Sequence, residues 1–269
     1  MAVINTPSAA KAKKVERRMR SAHRILDPAL PPRTELDGLC ALAVMTKAPR
    51  PGEVKTRLTP PLRPAEAAEL NRCFLRDTTA AIAQASGNIA RGVAVYTPKG
   101  AEADYTDILP GSFALLLQRG GSFGERLTAA AYDLFRVGFD SVCLIDSDSP
   151  TVAPECYSRA ADLLATKGER VVLGPSDDGG YYLIGLKKLR RRLFEQIDWS
   201  TARVLEQTAQ RAEALDLPVE LLPSGYDVDD ARTLRRLCNE LLRETAGSTI
   251  NVAPHTRQFL SGLVAQRQF

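Results

Sequence analysis

The stretch Leu42-Ala43-Val44-Met45-Thr46-Lys47-Ala48-Pro49-Arg50-Pro51-Gly52-Glu53-Val54-Lys55-Thr56-Arg57-Leu58 changes character partway along. It begins as an apolar run, which reads as a buried strand. Two prolines and a glycine then break it into a loop. On or just after that loop sit the cations Lys47, Arg50, Lys55 and Arg57 against a single acid, Glu53. A strand feeding a glycine-containing cationic loop is how α/β proteins offer backbone N–H groups and positive charge to phosphates. The loop is therefore expected to hold the polyphosphate of a nucleotide through Lys47, Arg50, Gly52, Lys55 and Arg57; an ordinary solvated basic loop is the alternative. Gly52-x-x-Lys55-Thr56 falls short of a P-loop, which needs glycine directly before its lysine where this chain has Val54.

Outward from this stretch, short strands alternate with longer helices. Strands are expected over residues 38–46, 92–97, 113–118, 141–145, 171–174, 181–186 and 219–222. Helices are expected over 64–85, from Gly120-Gly121 to Gly138, and over 154–166, 189–196, 202–214 and 230–244, with a short helical segment at 101–108. The helix entered at Gly120-Gly121 carries Leu127, Ala130, Ala131, Leu134 and Phe135 at i, i+3, i+4, i+7 and i+8. Such a rhythm calls for right-handed βαβ crossovers and a mostly parallel sheet with helices on both faces, an α/β fold. Residues 1–36 read as a basic N-terminal extension, 37–246 as one domain and 247–269 as a tail without clear period. Part of the extension, Val15 to Ile25, reads as helical.

Ligands of parallel sheets sit at the carboxyl ends of the strands. Those ends carry the cationic loop, Arg119-Gly120-Gly121-Ser122-Phe123-Gly124-Glu125-Arg126, Asp146-Ser147-Asp148-Ser149-Pro150, Asp177-Asp178-Gly179-Gly180-Tyr181-Tyr182, and, before the last helix, Tyr226-Asp227-Val228-Asp229-Asp230. Like charges gathered at one edge repel by about 4 kcal/mol per pair at 4 Å with an effective dielectric near 20. A hard divalent cation with oxygen ligands, Mg²⁺ or Mn²⁺, would offset that cost. Asp146, Asp148 and Asp229 are the candidate ligands, against the plainer reading that Asp146 and Asp148 form a turn and that Asp229 or Asp230 caps the last helix. Gly120 and Gly121, with Arg126, are candidates for close approach to a nucleotide, against a tight strand-to-helix turn. Asp177, Asp178, Gly179, Gly180 and Tyr181 are candidates for acceptor or sugar contact, against a hairpin with core tyrosines. Trp199, the single tryptophan, either walls a pocket or anchors the core.

Composition narrows the classes. The chain has 269 residues, 44% hydrophobic and 25% charged, enough to bury a full core. Its net charge of +4 is uneven: residues 1–33 hold eight basic and two acidic residues, +6, which leaves −2 for the rest. A near-neutral body does not suggest nucleic acid as a partner. No apolar run approaches the ~20 residues of a membrane span, and the N-terminus lacks the apolar core of a secretory signal. Five scattered cysteines, Cys40, Cys73, Cys143, Cys156 and Cys238, include no C-x-x-C pair. A cytoplasmic protein with no membrane partner is expected. The two histidines, His23 and His255, lie outside the strand-end clusters, and no Gly-x-Ser-x-Gly elbow occurs. Catalysis by positioning and metal electrostatics is then expected over covalent catalysis.

Lys47-Ala-Pro-Arg-Pro-Gly-x-Val-Lys55-Thr-Arg-Leu58, Ser147-Asp-Ser-Pro150, Gly174-Pro-x-x-Asp-Gly-Gly-Tyr-Tyr-Leu-Ile-Gly185, Asp198-Trp199 and Tyr226-Asp-Val-Asp229 together resemble a bacterial family, the radical-SAM/selenodomain-associated transferases. Its members are often labelled arsenosugar-biosynthesis glycosyltransferases. The likeness covers roughly Leu39 to Glu244, and the Lys55-Thr-Arg-Leu58 piece is also similar to 2-phospholactate guanylyltransferases. The resemblance implies a GT-A-like, nucleotide-diphospho-sugar transferase fold. It further implies a metal-dependent glycosyl transfer from a nucleotide sugar to a small-molecule acceptor. Nucleotidyl transfer with release of pyrophosphate, or nucleotide binding without turnover, remain alternatives. It implies that Lys47, Lys55 and Arg57 face phosphates and that Asp148 and Asp229 hold the metal. Asp148, Asp178 and Lys55 are the expected catalytic residues. Asp146 stands where members often have glycine, and the extension of residues 1–36 lies outside the family pattern.

Overall fold

The computed structural model describes residues 23–243 and 252–267. Eight strands form one sheet in the order β1-β4-β3-β2-β5-β7-β6-β8. They are β1 (Arg24–Leu26), β2 (Cys40–Lys47), β3 (Ala90–Thr97), β4 (Ala114–Leu117), β5 (Ser141–Ile145), β6 (Val171–Pro175), β7 (Tyr181–Leu186) and β8 (Val219–Leu221). Only β7 runs against its neighbours, β5 and β6. The expected mostly parallel α/β sheet is what forms. The α-helices among the described residues are α1 (Pro64–Ser86), α2 (Phe123–Val137), α3 (Pro154–Ala165), α4 (Val204–Glu213), α5 (Ala231–Leu242) and α6 (Pro254–Arg267). None of them is long and apolar enough to cross a membrane.

The alternation of side chains along β2 places one core on each face of the sheet. Cys40, Leu42 and Val44 pack with Leu75 and Ile82 of α1 and with Tyr157 and Leu164 of α3. Ala41 and Ala43 pack with Leu127, Ala131 and Leu134 of α2. A third cluster lies beyond the sheet, where Leu58, Leu70, Phe74, Tyr226, Val228, Leu234, Leu237 and Leu260 meet. It joins the cationic loop, the outer face of α1, the Tyr226–Val228 segment, α5 and α6. This cluster positions the site: Leu58 and Val228, each with 0% exposure, pin the two segments that carry Lys55 and Asp229.

Four local expectations come out differently. Residues 191–194 and 102–105 form only short 3-10 turns where longer helical segments are expected. The helix expected over Val15–Ile25 lies mostly outside the described residues, and its last part is instead the strand β1, paired with β4 through Arg24↔Ala114. Three residues flanked by charges and prolines carry no periodic signal, and only the open edge of β4 makes them a strand. The tail also contains a helix, α6. Its start is held by Asp77 of α1, whose carboxylate accepts from His255 N at 3.0 Å and Thr256 N at 2.8 Å. That cap comes from far along the chain, so no local N-terminal signal marks the helix.

Candidate functional site

The chain leaves β2 at Lys47, turns at Gly52, and reaches Lys55 in the left-handed region, φ 49 and ψ 37. A lysine in that region costs of order 1–3 kcal/mol and persists where its surroundings hold it. Here Leu58 is buried one turn further on, and the Lys55 side chain, 4% exposed, runs inward over the Phe74 ring at 5.4 Å. Its ammonium Nζ donates to Val228 O at 2.8 Å, lies 2.8 Å from Asp148 Oδ1, and donates to Asp229 Oδ1 at 3.0 Å. Burial works to lower the Lys55 pKa, but the charges and hydrogen bonds of Asp148 and Asp229 outweigh it, and the pKa is raised. Arg57, 73% exposed, donates to Asp229 Oδ2.

The acids arrive on three segments tied to one another. Asp146 and Asp148 follow β5, and Asp146 N donates to Tyr182 O of β7 at 2.9 Å. Val228 N donates to Asp148 O at 3.0 Å, which fixes the Asp229 segment against the β5 end. Tyr226 and Val228 are buried, and this alternation places Asp227 and Asp229 together on the opposite side of the segment. Asp230 takes the capping role, its Oδ1 accepting from Thr233 N at 2.7 Å, so Asp229 is left for Lys55 and Arg57. Asp178 lies in the turn before β7 and accepts from Gly180 N at 2.9 Å. Gly179 adopts φ +88, and a Cβ there would meet Ala202 O at 2.2 Å, so only glycine lets the 198–202 segment close over this turn.

These carboxylates line a cavity of about 550 Å³, with Asp146, Asp148, Asp178, Asp227 and Asp229 on its wall beside Arg57, Tyr181 and Trp199. Crowding shows in their titration. Burial, then the charge of Asp148, pushes the Asp146 carboxyl up to about 8 despite its bonds from Ser149 Oγ and Asp148 N. Burial, then Asp178 and Asp229, raises Asp227. Asp227 was not among the expected site residues; the alternation Tyr226-Asp-Val-Asp229 was the available signal. Ser176, which donates to Asp227 Oδ1 at 3.2 Å, was missed as well and carries no such signal.

A second cavity of about 450 Å³ opens at the ends of β2, β3 and β4, lined by Thr46, Lys47, Thr97, Gln118, Gly120 and Arg126. Met45 and Phe123 line both cavities. Arg126 donates to Gly121 O at 2.6 Å and lies over the Phe123 ring at 5.5 Å. Phe123 in turn meets Trp199 edge-on at 5.0 Å, so the tryptophan walls the site.

The other expected residues divide between surface pairs, turns and cavity walls. Lys47 lies 3.6 Å from the Glu53 carboxylate, and Arg50 pairs with Asp104 at 2.9 Å. Gly52 makes the turn, at φ +77. The Gly121 N–H is taken by Glu125. Asp177 turns away from its neighbour Asp178, to Arg236 at 2.6 Å and Ser224 at 3.1 Å. Gly180 and Tyr181 line the acidic cavity.

Among the described residues, no three or more His, Cys, Asp or Glu side chains converge in a way that could hold a metal ion. Two carboxylates do converge on one cationic atom, Asp148 and Asp229 on Lys55 Nζ. A pair of hard oxygens suits Mg²⁺ or Mn²⁺, which takes one or two protein carboxylates and draws its remaining ligands from phosphate and water. Asp146, tied into its own turn by Ser149 and Asp148 N, is not part of that pair.

Residues 79–201, from α1 to the Trp199 segment, match a family described as "Uncharacterized protein conserved in bacteria (DUF2064)". No curated protein sequence matches the chain. The structure is similar to one described as a "putative nucleotide-diphospho-sugar transferase" from Desulfovibrio desulfuricans G20. The two share 29% identity with a TM-score of 0.73, over 86% of this chain and 98% of that one. This chain has the nucleotide-diphospho-sugar transferase fold. It is also similar, in fold alone, to the 4-diphosphocytidyl-2C-methyl-D-erythritol synthase of Anaerococcus prevotii DSM 20548. There the identity is 13% and the TM-score 0.50, over 77% of this chain and 100% of that one.

Proposed function

We propose that this protein is a metal-dependent glycosyltransferase that takes a nucleotide sugar as donor. The observation that carries the reading is the convergence of Lys55 and Arg57 on Asp148 and Asp229, two carboxylates that line a cavity together with Asp178. The likeness at 29% identity to a nucleotide-diphospho-sugar transferase supports the donor class. The resemblance to the radical-SAM/selenodomain-associated transferases is the ground for preferring glycosyl over nucleotidyl transfer.

In this reading the nucleoside enters the cavity at the ends of β2, β3 and β4, against Thr97, Gln118 and the Gly120 backbone. Its diphosphate points past Met45 and Phe123 toward Lys55 and Arg57, and the sugar lies in the acidic cavity. Mg²⁺ or Mn²⁺, held by Asp148 and Asp229, would neutralise charge on the leaving diphosphate. Asp178 orients the acceptor hydroxyl and takes its proton as the oxygen bonds to the anomeric carbon and the carbon–diphosphate bond breaks. The 198–202 segment over the Gly179 turn keeps water from competing as acceptor.

A thermal-shift panel of nucleotides and nucleotide sugars, with and without Mn²⁺, tests the reading. A nucleotide sugar that raises the melting temperature only with Mn²⁺ supports it, and failure of every nucleotide to do so with metal removes its basis. With a donor identified, the released product decides the reaction. A nucleoside diphosphate marks glycosyl transfer, whereas pyrophosphate from a nucleoside triphosphate marks nucleotidyl transfer.

A further inference from the structure

We propose that Lys55 is an internal counter-ion that competes with the divalent cation for Asp148 and Asp229, so that metal and diphosphate bind as a coupled pair. The inference rests on the reading of Asp148 and Asp229 as the metal-holding carboxylates and adds how their occupancy is controlled.

An ammonium has three N–H donors and no acceptor. Lys55 Nζ donates to Val228 O at 2.8 Å and to Asp229 Oδ1 at 3.0 Å, and is ion-paired with Asp148 Oδ1 at 2.8 Å. With three oxygens packed round it, the ammonium has no room for a phosphate oxygen as it stands. For Lys55 to grip a phosphate it must give up at least one carboxylate, and a carboxylate abandoned at this depth needs another cation.

Space imposes the same exchange. Mg²⁺ or Mn²⁺ sits about 2.1 Å from its oxygen ligands. An ion taking both Oδ1 atoms would occupy the ground that Nζ fills, and two cations cannot share it. The approach is open: Asp148 and Asp229 are 32% and 30% exposed toward the cavity, while the lysine, 4% exposed, reaches them from the protein side over Phe74. Metal can arrive from solvent and push the ammonium off its partners.

Charge balance couples the two ligands. Lys55 and Arg57 balance Asp148 and Asp229 in ion pairs as the site stands. A divalent cation arriving alone leaves that group with two surplus positive charges. A cation arriving with a diphosphate restores the balance, and the freed ammonium has phosphate oxygens to bond. Because coupling between two binding sites is reciprocal, metal must tighten diphosphate by the factor by which diphosphate tightens metal.

The test uses full-length protein with Mn²⁺ and inorganic pyrophosphate as probes. Mn²⁺ binding is followed by the electron paramagnetic resonance signal of the free ion, and pyrophosphate binding by calorimetry with and without Mn²⁺. In wild type, Mn²⁺ alone is expected to bind weakly and to tighten pyrophosphate at least tenfold. Lys55→Met is expected to bind Mn²⁺ alone at least tenfold tighter than wild type, to lose most of the coupling, and to gain more in melting temperature from Mn²⁺ than wild type does. Asp148→Asn is the control and should lose Mn²⁺ binding. Equal Mn²⁺ affinity in wild type and Lys55→Met, with binding still lost in Asp148→Asn, overturns the counter-ion role and leaves the metal pair standing. Equal pyrophosphate affinity with and without Mn²⁺ in wild type overturns it even if Lys55→Met fails to fold. Mn²⁺ binding undiminished in Asp148→Asn removes the metal pair, and the functional reading falls with it.

Discussion

The two halves of the cationic loop carry the same charge and meet different fates. Lys47 and Arg50 are about half exposed and pair with Glu53 and Asp104 at the surface. Lys55 is buried between two carboxylates, and Arg57 closes on one of them. The difference is made by the backbone between them: Gly52 turns the chain, Lys55 takes a left-handed conformation, and Leu58 anchors the end of the loop in the third core cluster. The two halves share their charge, and packing sets them apart. The same lesson repeats in two acidic pairs. Asp178 faces the cavity while Asp177 turns to Arg236, and Asp229 meets Lys55 while Asp230 caps α5.

Substitutions that treat the two halves alike would break this contrast. The largest expected effect is Asp148→Asn, which should lower turnover on the identified donor about a thousandfold, the scale of losing a main electrostatic group in a transition state. Next comes the pair Asp178→Asn and Asp177→Asn. The first should cost about a hundredfold in kcat and the second less than about twofold, as expected for a residue that makes no contact with the transition state. Equal losses would remove the distinction between the cavity and its rim.

Stability sharpens it further. Lys55→Met leaves two partly exposed carboxylates without their shared cation, at about 1–3 kcal/mol once the full cost of breaking a buried pair is discounted for solvent. That corresponds to a fall in melting temperature of about 3–9 °C in a protein of this size. Lys47→Met should move it by less than about 1 °C. Arg57→Ala should weaken nucleotide affinity about tenfold, as for one charge-assisted hydrogen bond, and Arg50→Ala less than about twofold.

The smallest expected effect is a pH dependence. The hydrogen bond from Arg236 outweighs burial and holds the Asp177 carboxyl below its ordinary range. A depressed carboxylate contributes stability above its unfolded pKa, near 4, and loses it as pH falls through the lower folded value. Asp177→Asn should therefore lower the melting temperature by about 1–2 °C near pH 7 and converge with wild type as pH falls below the folded pKa of Asp177, since exposed pairs contribute at most about 1 kcal/mol.

Much of the frame was legible in the sequence because it is written in local signals. The apolar runs of β2 and β5, the helical spacing in α1, α2 and α5, and the glycines and prolines between them place those elements within a few residues of where they form. The strand β1 and the helix α6 were not legible. One depends on the free edge of β4 and the other on a cap supplied by Asp77. The family resemblance implied Lys47, Lys55 and Arg57 as phosphate contacts and Asp148 and Asp229 as metal holders; the fold brings Lys55, Arg57, Asp148 and Asp229 together and pairs Lys47 with Glu53. Which of the neighbouring acids would join them was not legible, since Asp177 and Asp178, or Asp229 and Asp230, differ only in the direction a turn gives them.

The sequence by itself determined the class of fold and the chemistry available at one edge of the sheet, because hydrophobic period and loop composition act over a few residues. The tertiary structure alone decided that Lys55 lies between Asp148 and Asp229 with its ammonium also bonded to Val228 O. That arrangement joins positions far apart in the chain, and only the packing of Leu58 and Val228 into a shared core sets the distances between them.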